Sequence, residues 1–167
     1  MKYFSLKNSQ GLTLLELLIT MAIIIILAMV AVPSYNTFMA NERFAVASNE
    51  LNNAYRFARN EALKTSHSMI LKATTTVTTA DGKEKWLGWQ VLSSSTSTTP
   101  LLVSRIPHES ITIIASGAGD TVTVKGRGSL VSSISFTISG ASKTSLLCIY
   151  ASGQSVFRYP EKGESCS

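Results

Sequence analysis

Apolar residues run almost without a break from Leu12 to Val32, interrupted by Thr13, Glu16 and Thr20. About 20 such residues at a helical rise of ~1.5 Å cover a hydrocarbon core of ~30 Å. The run is too long for the apolar region of an ordinary secretory signal, and no small-x-small cleavage pattern follows it. It predicts a membrane helix. Pro33 closes the run; proline removes one backbone hydrogen bond and crowds the preceding turn, so a kink or local melting is expected there. Helical patterning then resumes in amphipathic form. Phe44, Ala47, Leu51, Tyr55 (or Ala54), Ala58 and Ala62 recur at steps of three and four and make one apolar face. Arg43, Glu50, Arg56, Arg59, Glu61 and Lys64 lie largely away from it. Alternating-sign charge of this kind reads as a solvated face rather than a binding stripe. The pattern predicts one helix over residues 12–65, kinked near Pro33, with its first half in a membrane and its second half against a sheet.

Beyond Thr65 no helical period survives, and Ser, Thr, Gly and β-branched residues dominate. Residues 67–79 read as a long strand or strand pair ending in the turn Ala80-Asp81-Gly82-Lys83. Residues 86–92 form the next strand, whose Trp86 and Trp89 are expected in the core, with a stacking surface as the alternative. The Ser/Thr tract 93–99 reads as an exposed loop. Further short strands are expected at 101–106 (ended by Pro107), 111–115, 121–124, 133–138 and 146–151. Gly117-Ala118-Gly119-Asp120, Gly126-Arg127-Gly128 and Ser139-Gly140 mark turns. The fold class is therefore α+β, a long kinked N-terminal helix packed on a mainly antiparallel β domain.

Length allows one membrane helix and one modest domain in 167 residues. Charge adds an orientation. Lys2 and Lys7 precede the span with no acid beside them, which places that end in the cytoplasm and the C-terminal bulk outside it. Of 15 basic residues these two belong to the leader, leaving 13 against 10 acids, a mild formal +3. That is not by itself a nucleic-acid footprint.

Glu16 is the residue that carries chemistry. An ionised carboxylate in hydrocarbon costs several kcal/mol and needs a partner. Gly11-Leu12-Thr13-Leu14-Leu15-Glu16 resembles the prepilin signature of type IV pilins and type II secretion pseudopilins. The resemblance implies that a prepilin peptidase cuts between Gly11 and Leu12 and methylates the new amino terminus of Leu12. Leu12 stands where the family usually has Phe. It also implies that Glu16 serves as the assembly charge and that Pro33 marks a family kink. A free α-amino group has an ordinary pKa near 7.7–8.0; beside Glu16 of a neighbouring subunit it would neutralise a charge that is costly alone.

The order SNELNNAYRFARNEALKTS, WLGWQVL, LLVSRIP, KGRGSL, CIYASGQ resembles the GspH/FimT/FimU group of minor pilins and pseudopilins along nearly the whole chain. The resemblance implies a leader (1–11), a transmembrane assembly half-helix (12–33), an amphipathic half-helix (34–65) and a periplasmic β-rich domain (66–167). It implies an inner-membrane precursor with a cytoplasmic N-terminus, and a place in the pilus at the cell surface after assembly. The implied partners are other minor and major pilins, the inner membrane, the prepilin peptidase and the pilus assembly platform. The expected function is a minor type IV pilin at or near the tip that helps start assembly. One alternative is a DNA-binding minor pilin for natural transformation; another is a GspH-like pseudopilin of type II secretion.

Some members bind DNA through a C-terminal Gly-Arg-x-Arg motif. The matching stretch here is Gly153-Gln154-Ser155-Val156, without either arginine. Lys125, Arg127, Arg158 and Lys162 are the candidate DNA contacts, since cations displace counterions from phosphates. Cys148 and Cys166, the chain's two cysteines, read as a disulfide in an oxidising compartment. They would tie down a tail, residues 155–164, whose Pro160, Gly163 and mixed charges otherwise favour disorder. His67 and His108 are isolated, and no G-x-S-x-G or GxxxxGK[ST] pattern occurs. The expectation is a non-enzyme with no cofactor and no metal.

Overall fold

The computed structural model describes residues 13–79, 82–106, 108–140 and 143–166. The leader with Gly11, then Leu12, Ala80 and Asp81 of the expected turn, and Pro107 lie outside them. The chain divides into two compact units, residues 1–38 and 39–167, and one helix contributes to both. That helix, α1, spans Leu14–Thr65, 52 residues. Thr13 stands at its N-cap: its hydroxyl accepts from the Glu16 N–H at 3.2 Å and its carbonyl from the Leu17 N–H at 3.2 Å. Thr-x-x-Glu is the sequence form of a capping box, which satisfies amides that the first turn leaves open. The helix continues through Pro33 without melting.

From residue 39 on, α1 is amphipathic as its spacing requires. Phe44, Ala47, Ser48, Leu51, Ala54, Tyr55, Ala58 and Ala62 are buried, so Ala54 and Tyr55 both belong to the apolar face. Four of these are alanines, and Phe44, Leu51 and Tyr55 are the large side chains among them. Glu50 and Arg59 depart from the expected solvated face. The Ser104 hydroxyl donates to Glu50 Oε2 at 2.8 Å, and Arg59 Nε donates to the Gly128 carbonyl at 3.0 Å.

The sheet has eight antiparallel strands: β1 Met69–Thr78, β2 Glu84–Leu92, β3 Leu102–Arg105, β4 Thr112–Ser116, β5 Thr121–Val124, β6 Ile134–Gly140, β7 Lys143–Ile149 and β8 Ser155–Arg158. Their order is β5-β1-β2-β4-β6-β7-β8, with β3 on β2. The expected long strand after residue 67 is one strand, β1. Ser139 and Gly140, expected as a turn, complete β6, because Ser139 pairs with Thr144 and Gly140 with Lys143. The tail supplies a further strand: Ser155, Val156, Phe157 and Arg158 pair with β7. A 3-10 turn at Pro160–Lys162 follows.

Trp86 and Trp89 settle in the core, both fully buried. At a spacing of three, strict strand alternation would put them on opposite faces. The pairs Ala73↔Trp89, Thr75↔Gly88 and Thr76↔Trp86 resolve this. Thr74 is left unpaired on β1 and Leu87 on β2, two compensating irregularities that break the alternation between the indoles and let both be buried. Trp86 meets Phe136 edge-on at 4.9 Å and donates from Nε1 to the Gly119 carbonyl at 3.0 Å. In β6, Ile134, Phe136 and Ile138 alternate inward against outward Ser135, Thr137 and Ser139, the signature of a sheet with one packed face.

Candidate functional site

Two regions carry the residues singled out above. The first is the N-terminal half of α1. Glu16 lies in its first turn, and residues 13–38 are exposed throughout. Leu14, Leu15, Leu17, Leu18 and Ile19 flank Glu16 in sequence and are apolar surface that nothing in this unit covers. A segment this long and apolar can cross a membrane. A surface of this kind is stable in lipid or against other helices, not in water.

The second region is where the far end of α1 meets two turns. Lys125 and Arg127 sit together in the turn after β5, closed by bonds from the Gly128 N–H to the Lys125 carbonyl at 2.7 Å and from the Lys125 N–H to the Ser129 carbonyl at 2.8 Å. With Ser66 and Ser68 they line an open groove of about 830 Å³. Arg158 ends β8 opposite Leu146, and Lys162 lies over the Tyr159 ring at 5.6 Å. Since β5 and β8 are the two ends of the strand order, the four candidate DNA contacts fall into two pairs. Among the described residues no hydrogen bond or ion pair joins them. Arg59 bonds the carbonyl of Gly128, the residue after Arg127.

The turn over residues 150–153 packs on the same place. The Leu130 N–H donates to the Ala151 carbonyl at 2.9 Å, and the buried Tyr55 hydroxyl donates to the Gly153 carbonyl at 2.8 Å. Burial pushes the Tyr55 phenol up to about 12, with the Arg59 guanidinium opposing the rise. A folded value above the ordinary ~10 favours the neutral phenol. Its stabilisation is fully present below pH ~10 and is lost as pH climbs towards ~12, on the order of 2–3 kcal/mol. Tyr55→Phe is expected to lose about 1 kcal/mol at neutral pH and to show a shallower fall in melting temperature across that alkaline window. Parallel falls in both proteins would show that the phenol is not the group responsible.

Cys148 and Cys166 form a disulfide, Cα–Cα 5.4 Å, over a separation of 18 residues. It fixes the tail to β7, helped by Glu161 Oε1 accepting from the Thr144 N–H at 3.3 Å and Glu164 Oε2 from the Tyr159 N–H at 3.0 Å. Closing a loop of this size is worth about 3 kcal/mol in the chain-entropy account. Cys166→Ser should therefore lower stability by about that amount, with amide exchange accelerating first at Val156 and Arg158. Unchanged exchange in β8 would mean that strand pairing alone holds the tail. His67 and His108 are engaged locally, with Thr65 O at 2.7 Å and Ser110 Oγ at 2.9 Å.

Comparison with known proteins bears on both regions. The prokaryotic N-terminal methylation motif matches residues 6–32, and the family described as type II transport protein GspH matches residues 47–153. Two crystal structures of the type IV minor pilin FimU from Pseudomonas aeruginosa strain PAO1 share the fold. One, in space group P21, is 20% identical with a TM-score of 0.61, covering 78% of this chain and 99% of that one. The other, in space group P65, is 23% identical with a TM-score of 0.56, covering 74% and 99%. No curated protein matches the chain. A methylation motif on an uncovered apolar helix, followed by a β domain that the GspH family spans, assigns the chain to the GspH/FimT/FimU group of type IV pilins and pseudopilins.

Proposed function

We propose that this chain is a minor type IV pilin of the FimU/FimT kind, incorporated at or near the pilus tip, where it helps to initiate assembly. The observation that carries this reading is the uncovered apolar half of α1 with Glu16 as its acid, placed within the N-terminal methylation motif. In this account prepilin peptidase cuts between Gly11 and Leu12 and methylates Leu12. The new amine pairs with Glu16 of a neighbouring pilin, and the surrounding leucines and isoleucines supply contact area in place of lipid. Residues 12–33 hold the chain in the inner membrane before assembly, Pro33 bends the helix, and residues 66–167 face the periplasm.

The family match also supports a second reading, a GspH-like pseudopilin of type II secretion. A DNA-binding role has less behind it, because Gly153-Gln154-Ser155-Val156 lacks both arginines of the Gly-Arg-x-Arg motif. The discriminating experiment recovers filaments by shearing. The wild-type chain is expected in the sheared fraction. Glu16→Val should reduce its recovery at least ~10-fold while membrane level and cleavage after Gly11 stay unchanged. Absence of the wild-type chain from pili, together with a secretion defect on deletion, would establish the pseudopilin reading instead.

A further inference from the structure

Arg56 and Arg59 line a groove of about 400 Å³ between α1 and the turn over residues 150–153, together with Asn60, Gln154 and Ser155. No carboxylate lines it. The acids nearest along the helix are engaged elsewhere, Glu61 with Lys64 at 3.4 Å and Glu50 with Ser104. Among the described residues the ion pairs are Lys64–Glu61 and Lys72–Asp120, so neither arginine has a counter-ion. Arg59 is also held in place. Its Nε donates to the Gly128 carbonyl, and the guanidinium is wedged against two glycines in left-handed conformation, Gly128 (φ 73°) and Gly153 (φ 84°), where a side chain would crowd it. With Nε committed, its terminal nitrogens have no protein partner among the described residues.

We propose that this groove is a carboxylate-binding site, and that its occupant is an acidic segment of a neighbouring pilin subunit. A guanidinium anchored through Nε offers its remaining nitrogens as a preorganised fork, which matches a carboxylate with two parallel bonds. Arg56, one turn earlier, adds a second positive charge, and Asn60 and Gln154 add amide donors. A nucleic-acid strand fits less well. The groove's aromatic, Tyr55, is fully buried with its hydroxyl on Gly153, so no ring face is offered for base stacking. Naming a pilin as the source of the carboxylate rests on the assembly reading above; the groove's anion chemistry does not.

The test uses the full chain in detergent, with nitrogen-15 NMR of the arginine and glutamine side chains. The probes are capped pentaglutamate, capped pentaglutamine and a short oligothymidylate. Pentaglutamate is expected to shift the Arg59 Nε–H and Gln154 amide resonances saturably, and pentaglutamine to leave them in place. Arg56→Gln, an exposed change that disturbs no hydrogen bond, should weaken the response about tenfold. Arg59→Lys keeps the charge and loses the fork, and should weaken it further. No saturable shift with pentaglutamate overturns the proposal. Oligothymidylate saturating the same resonances at lower concentration overturns it too, reassigning the groove to nucleic acid. A chain that binds pentaglutamate yet is absent from sheared pili sinks the assembly reading and with it the pilin as occupant, and leaves the groove's carboxylate chemistry standing. One found in pili without any pentaglutamate response sinks the groove alone.

Discussion

Gly153→Ala is expected to destabilise the β domain by on the order of 3–5 kcal/mol, the largest effect of any single methyl in this chain. Gly153 has φ 84°, a region that L side chains rarely adopt. Left-handed geometry alone costs roughly 1–2 kcal/mol. The added methyl would also overlap the Gly128 carbonyl and press on Arg59 Nε. Backbone cannot swing aside as a flexible side chain can, so the two turns must separate. Separation threatens the Tyr55 bond to Gly153 and the Arg59 bond to Gly128 together. Thermal unfolding of the full chain in detergent reads the loss directly. Gly163→Ala is the matched control: φ is 74°, but nothing lies within 4 Å, so strain acts without a clash. Equal destabilisation in the two variants would show that the contact with Gly128 contributes nothing.

Trp86→Ala should cost about 3–5 kcal/mol, as deletion of a large, fully buried aromatic does. Trp86 is completely buried, packs edge-on against Phe136 and satisfies the Gly119 carbonyl. Truncation therefore removes packing, an aromatic pair and a hydrogen bond in one step. Trp86→Phe separates these contributions. It keeps a ring against Phe136 and loses the indole N–H, with an expected cost of roughly 1–2 kcal/mol. Denaturant unfolding of both variants provides the comparison. A Trp86→Ala loss below ~1 kcal/mol would place Trp86 outside the cooperative core, contrary to its burial.

Much of this architecture is written locally. The face of α1 from Phe44 to Ala62 follows from spacing alone, because each residue's own polarity and a fixed helical period decide what is buried. The position of Glu16 within an apolar run, and the sequence of turns and β-branched stretches, are local in the same sense. Thr13 was equally legible as the start of a Thr-x-x-Glu box, a pattern the apolar run overshadows. The irregularity at Thr74 and Leu87 was not. Gly88 within a strand hints at an irregularity, but which residues are left unpaired depends on register against β1. β8 was hidden for a different reason: the apolar pair Val156-Phe157 is too short to announce a strand between Ser155 and Arg158, and it is the pairing with β7 that makes it one.

Arg59 marks the boundary most clearly. By sequence it is one more charge on a solvated helix face, with Glu61 and Lys64 beside it. Its Nε bond to Gly128 exists because turns far apart in the chain, around residues 128 and 153, are brought together over Tyr55. Likewise, Lys125 with Arg127 and Arg158 with Lys162 look like one basic cluster along the C-terminal third, and the strand order assigns them to different ends of the sheet. The sequence by itself determined the apolar helix, its acid, its amphipathic continuation and a β domain, since periodicity and polarity need no distant partner. Only the tertiary structure decided which cations meet, which turns touch and how the tail is held, because those depend on backbone register between segments that have no local means of specifying one another.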